Sequence, residues 1–167
     1  MSETTQSMNL FATLRRRPDA QAIVKGSAKY PGLSGVVRFY QTRRGVLVCA
    51  EVSGLPKAEG PCGNSFFAFH IHSGGQCAGD SADPFANALT HYNPSDCPHP
   101  AHAGELMPLF SNRGYAFEIF LTDRFTICEI VGRTVIVHSR PDDFTTQPSG
   151  NAGNKIACGQ TRAVAPR

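Results

Sequence analysis

No apolar run in this sequence is long enough to cross a bilayer, so a membrane-spanning helix is not expected. The first residues, MSETTQSMNLFATLRRRPDAQ, lack a basic segment followed by an apolar one, so no secretory signal is legible and a cytoplasmic location is expected. Charge of one sign is scarce. The formal net charge is +3, and the densest basic stretch, Arg15 to Arg17, is short and has no stacking aromatics interleaved. Nucleic-acid binding needs a wider electrostatic footprint, so no nucleic-acid partner is expected. No Cys-x-x-Cys occurs, which removes the zinc-ribbon spacing. Tryptophan is absent too, and nothing follows from that.

What is present suggests strands. With 16 glycines, 12 prolines and 41% hydrophobic residues in 167, the chain fits one domain with long loops. A chain of this length buries roughly two-thirds of its unfolded surface, enough for a core that does not depend on metal. Residues 1–20 read as a flexible N-terminal tail, with a short helix around Asn9 to Arg16 stopped by Pro18, and residues 21–161 read as the domain. Strands are expected over Ala22–Ala28, Gly35–Tyr40, Val46–Val52, Phe66–His72, Gly114–Leu121, Arg133–His138 and Lys155–Gly159. Phe125–Val131 reads as a strand or a tight connection. Val46–Val52 alternates best: Val46, Val48, Ala50 and Val52 share one face, which leaves Cys49 on the less buried one. Residues 73 to 111 hold no convincing strand, and a second long loop runs from Ser139 to Gly153. Connections this long are usually functional. Short strands separated by Gly/Pro turns make an all-β sandwich or barrel.

The histidines organise the reading. His91, His99 and His102 lie within 12 residues, in HYNPSDCPHPAHAGEL, and Glu105 closes the run. Imidazoles crowded this tightly repel as cations, and as neutral core groups each leaves a ring nitrogen to satisfy. Coordinating a cation resolves both. His70 and His72 stand at i and i+2 on FAFHIH, the spacing that puts two rings on one face of a strand. His138 ends RTVIVH. On the residues alone, Glu105 is a ligand or a solvated loop carboxylate, Asp142 and Asp143 are turn residues, and Lys155 is a strand-end lysine.

Taken together, FAFHIHSGGQC, HYNPSDCPHPAHAGEL, GRTVIVHSRPDD and GNAGNKIACG, in that order, resemble the copper/zinc superoxide dismutase family over nearly the whole chain. The compact loops look more like bacterial members. The resemblance implies an eight-stranded Greek-key β-barrel, flattened like a sandwich, with two long functional loops. It implies copper and zinc as cofactors, superoxide as a small anionic substrate, and dismutation to dioxygen and hydrogen peroxide. A dismutase-like copper-binding or metal-buffering protein with little turnover is the alternative. His70, His72, His91 and His138 match copper ligands. His91 also matches the imidazolate that bridges to zinc, and His99 and His102 match zinc ligands. Asp142 matches the carboxylate linking His70 to His99, and Cys77 and Cys158 match the family's disulfide. A second bridge between Cys62 and Cys97 is a further expectation, with Cys128 unpaired. The resemblance leaves a homodimer open, on a face the sequence does not mark. Two positions depart from the family pattern: the zinc-ligand aspartate is Glu105, and the substrate-guiding arginine is Lys155. Both keep the charge and change the geometry, so weaker zinc binding and looser docking of superoxide are expected.

Overall fold

The computed structural model describes residues 9–165. Its strands are β1 (Ala20–Gly26), β2 (Ser34–Thr42), β3 (Gly45–Ser53), β4 (Phe66–Phe67), β5 (Phe69–His72), β6 (Leu109–Phe110), β7 (Tyr115–Thr122), β8 (Thr134–His138) and β9 (Lys155–Ala163). Two short helices, α1 (Leu10–Arg15) and α2 (Ile127–Ile130), complete the elements used below. Seven strands form one curled antiparallel sheet in the order β5-β8-β9-β1-β2-β3-β7, and β4 pairs with β6 in a separate two-stranded ribbon. The fold is therefore all-β. Its hydrogen-bonded sheet has seven strands where eight in a closed barrel were expected.

Alternation fixes which way each strand faces. Val46, Val48, Ala50 and Val52 of β3 are fully buried with Ala22 and Val24 of β1, Phe39 of β2, Phe69 and Ile71 of β5, and Val135 and Val137 of β8. Each valine, isoleucine and phenylalanine among them contributes about 1.5–3 kcal/mol on burial. The opposite face of β3 was expected to be less buried, yet Leu47 and Cys49 are also covered. The cover is α1. Leu10 and Leu14 pack on Tyr40, Leu47 and Cys49, and Asn9 caps the helix by accepting from Ala12 N at 3.0 Å. Asp19 Oδ2 then accepts from Gln41 N at 2.7 Å, so the expected tail is packed from Asn9 onward; residues 1–8 lie outside the described residues. Phe125–Val131 contains α2, held by a capping box between Thr126 and Glu129.

The free edge of β5 positions the first long loop. Tyr92 N donates to Ile71 O, Ile71 N to Gly104 O, and Gly104 N to Tyr92 O, each at 2.8 Å. These bonds create bridges of His72 with His91 and of His70 with Glu105. Gly104 is required at this crossing, because a Cβ there would stand 2.2 Å from Ile71 O. The loop is thus tied to the sheet by its own backbone, with Tyr92 and Leu106 in the core.

Candidate metal centre

Four elements converge on one buried site. β5 supplies His70 and His72, β8 ends in His138, the first long loop supplies His91, His99, His102 and Glu105, and the second supplies Asp142. All eight are buried. Potential donor atoms of His70, His72, His91 and His138 lie within 4.8 Å of one another, and so do those of His91, His99, His102 and Glu105. His91 belongs to both groups.

In the second group, Glu105 Oε1 stands 2.8 Å from His91 Nδ1, 3.2 Å from His99 Nδ1 and 2.9 Å from His102 Nδ1. His102 Nδ1 lies 3.3 Å from His91 Nδ1. A tetrahedral ion with bonds of about 2.0–2.1 Å spaces its donors by about 3.3–3.4 Å, so this set needs only small adjustment to hold zinc.

Tautomers decide what the first group offers. His72 Nδ1 pairs with Leu89 O at 2.8 Å and His138 Nδ1 with Gly153 O at 3.2 Å. A carbonyl only accepts, so both Nδ1 atoms carry the proton and both Nε2 atoms present lone pairs, 3.2 Å apart. His70 is reversed. Its Nε2 pairs with Asp142 Oδ2 at 2.9 Å, while its Nδ1 is buried without a partner. His91 Nε2 is likewise buried and unpartnered. Four imidazole lone pairs gathered away from water are costly unless a cation fills the space. The residues therefore fit copper in the first group and zinc in the second.

Electrostatics agree. Burial pushes His72 well below the usual histidine range and lowers His91; burial and neighbouring rings take His138 down to about 3. Neutral rings keep their lone pairs free. Burial also opposes protonation of His70, but the hydrogen bond to Asp142 and the negative charge of Glu105 and Asp142 beside it outweigh that and raise the ring. The same negative surroundings favour a metal cation at Nδ1. Glu105 Oε2 lies 3.1 Å from His70 Nε2, outside hydrogen-bond alignment, so the longer side chain reaches toward both groups. Burial raises Glu105, and the rings of His70 and His91 reverse that to hold it far below the carboxylate range.

Asp142 joins the halves. Its Oδ2 takes His70 Nε2 and its Oδ1 takes His99 Nε2, both at 2.9 Å. Three supports around the two groups were not singled out in the sequence. Gln147 grips the His99 backbone both ways, accepting from its N at 2.9 Å and donating to its O at 2.6 Å. Arg124 donates to Pro100 O at 2.8 Å and His102 O at 3.1 Å. Gly150, at φ +66, lies so close that a Cβ would stand 1.9 Å from Asp142 Oδ1. Only the glycine carried any signal, as a turn residue.

A cleft of about 890 Å³ opens beside His72, His91 and His138, and Lys155 lines its wall. Cys77 and Cys158 form a disulfide. The second bridge expected between Cys62 and Cys97 does not form: both are free thiols, and Asn93 holds the Cys97 backbone by accepting from its N at 3.1 Å and donating to its O at 2.8 Å. Cys128 is free and exposed.

The family model for copper/zinc superoxide dismutase matches residues 33–161. Superoxide dismutase (Cu-Zn) 2 of Aquifex aeolicus is 31% identical over 143 residues, covering 77% of this chain and 78% of its own. Superoxide dismutase (Cu-Zn) 1 of the same organism is 33% identical over 140 residues, covering 75% and 78%. The Cu/Zn superoxide dismutase structure from Brucella abortus superposes with a TM-score of 0.71 at 23% identity, covering 84% of this chain and 98% of that one, a likeness of fold. With the paired donor groups, these matches place the chain in the copper/zinc superoxide dismutase family.

Proposed function

We propose that the chain dismutates superoxide to dioxygen and hydrogen peroxide at a copper joined to zinc through His91. The observation that carries this reading is the position of that one ring. Its Nδ1 lies among Glu105 and His102, its Nε2 is buried without a partner, and its centre is 3.9 Å from His70 and 5.1 Å from His72. Copper would be held by His70 through Nδ1 and by His72, His91 and His138 through Nε2. Zinc would be held by Nδ1 of His91, His99 and His102 and by Glu105 Oε1. When bound, copper supplies one-electron exchange, removing an electron from one superoxide and returning it to a second.

The chain's residues do the rest. Leu89 O and Gly153 O hold the protons of His72 and His138 away from the metal side. His91 Nε2 is the nitrogen of the shared ring able to take up and release a proton, because Nδ1 is committed to the Glu105 group. Lys155, on the cleft wall, draws an anion inward. Asp142 orients His70 and His99 together.

We assign this activity to residues 21–161, with 1–20 as an N-terminal extension. Ala68 alone separates β4 from β5, so Phe66–His72 can be counted as one strand passing from β6 to β8. That count gives eight strands and supports the family's barrel. A homodimer is proposed on the face where exposed Phe66 and Phe110 stack at 4.7 Å. Sedimentation of the purified protein tests it.

The function is tested on protein loaded with one copper and one zinc. Rapid superoxide consumption, lost in His91→Ala, is expected. Stoichiometric metal without consumption would leave a copper-buffering protein instead.

A further inference from the structure

The cation on the cleft wall is not free. Lys155 Nζ donates to Asp83 Oδ2 at 2.6 Å and to Phe85 O at 3.2 Å. Its side chain is 15% exposed, against 40% for Asp83, so the pair sits at the cleft margin with the carboxylate outermost. An ammonium has three N–H donors; two are engaged, and one is left for an incoming anion. A guanidinium could hold the loop and still present a two-donor fork, an option this chain lacks.

Nor is the carboxylate a passing surface contact. Asp83 Oδ1 accepts from Phe85 N at 3.0 Å, and Asp83 N donates to Asp80 Oδ1 at 2.9 Å. Asp83 O accepts from Asp80 N at 3.0 Å and from Ala86 N at 3.1 Å. Phe85 and Ala88 bury against Ile136 and Cys158, the latter on the same strand as Lys155. An exposed lysine–carboxylate pair is usually weak because both side chains must be ordered to form it. Here the loop orders Asp83 in advance, and burial orders most of Lys155.

We propose that Asp83 is a positioning residue that holds Lys155 on the cleft wall and offsets its charge, thereby setting how strongly the site attracts small anions. The proposal rests on Lys155 being the substrate-guiding cation. Asp83 fixes where the single available N–H can point, and it lowers the positive potential felt by an approaching anion. No residue of either metal group touches its carboxylate in the contacts described above.

The test uses full-length protein loaded with copper and zinc, with azide as the anion probe, followed by optical titration of the cupric form. Asp83→Asn keeps an acceptor oxygen and removes the charge. It should tighten azide binding about two- to fivefold at low salt, with the gain fading near molar salt. Asp83→Glu should restore the parent affinity. Lys155→Gln should weaken azide binding, and adding Asp83→Asn to it should recover part of that loss, because the carboxylate left alone repels the anion. Unchanged or weaker azide binding in Asp83→Asn, with Lys155→Gln still weakening it, overturns the role of Asp83 alone. If Lys155→Gln leaves azide affinity unchanged, the guiding role of Lys155 falls and the proposal with it.

Discussion

His72 and His138 face each other through Nε2 at 3.2 Å, while each holds its Nδ1 on a main-chain carbonyl. Neither ring can rotate its proton inward without abandoning that carbonyl, so the two lone pairs stay opposed. A cation between them turns a repulsion into two bonds. We therefore expect metal to stabilise the native state strongly: at a thousandfold excess over Kd the gain is about 4 kcal/mol per ion. For a chain of this size that is about 8–16 °C in Tm. Calorimetry of chelated against loaded protein measures it, and equal melting temperatures would count against a metal centre.

Asp142 makes a second prediction through its two oxygens. An asparagine could accept from only one of His70 and His99, and would turn an N–H toward the other. Asp142→Asn should therefore lower affinity for both metals, each by about 10–100-fold. Asp143→Asn is the control, since Asp143 is exposed and its carboxylate accepts from Thr145 and Thr146, away from both metal groups. Competition against chromophoric chelators separates the two variants.

What the sequence revealed and what it hid have one physical cause. His70 and His72 were legible because a strand has a fixed period, and His91 to Glu105 because the donors crowd one short run. Gln147, Arg124 and Asp83 were hidden. Their partners lie 48, 24 and 72 residues away, and at least one side of each contact is a loop with no period to follow. The cover over Cys49 was missed for a similar reason: alternation says which face a residue takes, not whether a distant helix lies upon it. The strands themselves were read to within a few residues, with the break at Ala68 and the short β6 unseen.

Gly150 carries a sharper test than the ligands. Alanine there would put Cβ 1.9 Å from Asp142 Oδ1 and 2.7 Å from His99 Nε2, at a φ of +66. The backbone strain alone costs about 1–3 kcal/mol. Gly150→Ala should lose zinc affinity along with stability, whereas Gly60→Ala, also at positive φ but with open space around it, should lose stability through the same backbone strain and keep its zinc affinity. Metal analysis after gel filtration, alongside thermal melts, would show it.

The Cys77–Cys158 disulfide spans a sequence separation of 81 and sits beside the small cluster of Phe85, Ala88 and Ile136. Replacing both cysteines by serine should cost about 2–4 kcal/mol in urea unfolding at constant metal load. Cys62→Ser, at an exposed free thiol, should leave the midpoint unchanged.

The metal-free protein should weaken in acid, and the sign can be followed group by group. Burial holds His72, His91 and His138 below 6.5, His138 at about 3. As pH falls through 6.5, the unfolded chain protonates these three while the native state does not, so stability is lost down to their folded values. His70 acts the other way, because its raised value makes its contribution complete below 6.5 and lost as pH rises through the folded one. Glu105 and Asp142 are depressed, so their contribution is present at neutral pH and disappears as pH falls through the acid range. Below 6.5 His70 is protonated in both states and adds no slope, so the limiting uptake on unfolding is that of the three buried rings, about three protons or about 4 kcal/mol per pH unit, over the interval below pH 6.5 in which all three stay neutral in the native state. Urea midpoints of chelated protein across that interval, with proton uptake followed in weakly buffered solution, should slope downward toward acid. A flat or rising profile would mean that the rings are not held neutral by burial.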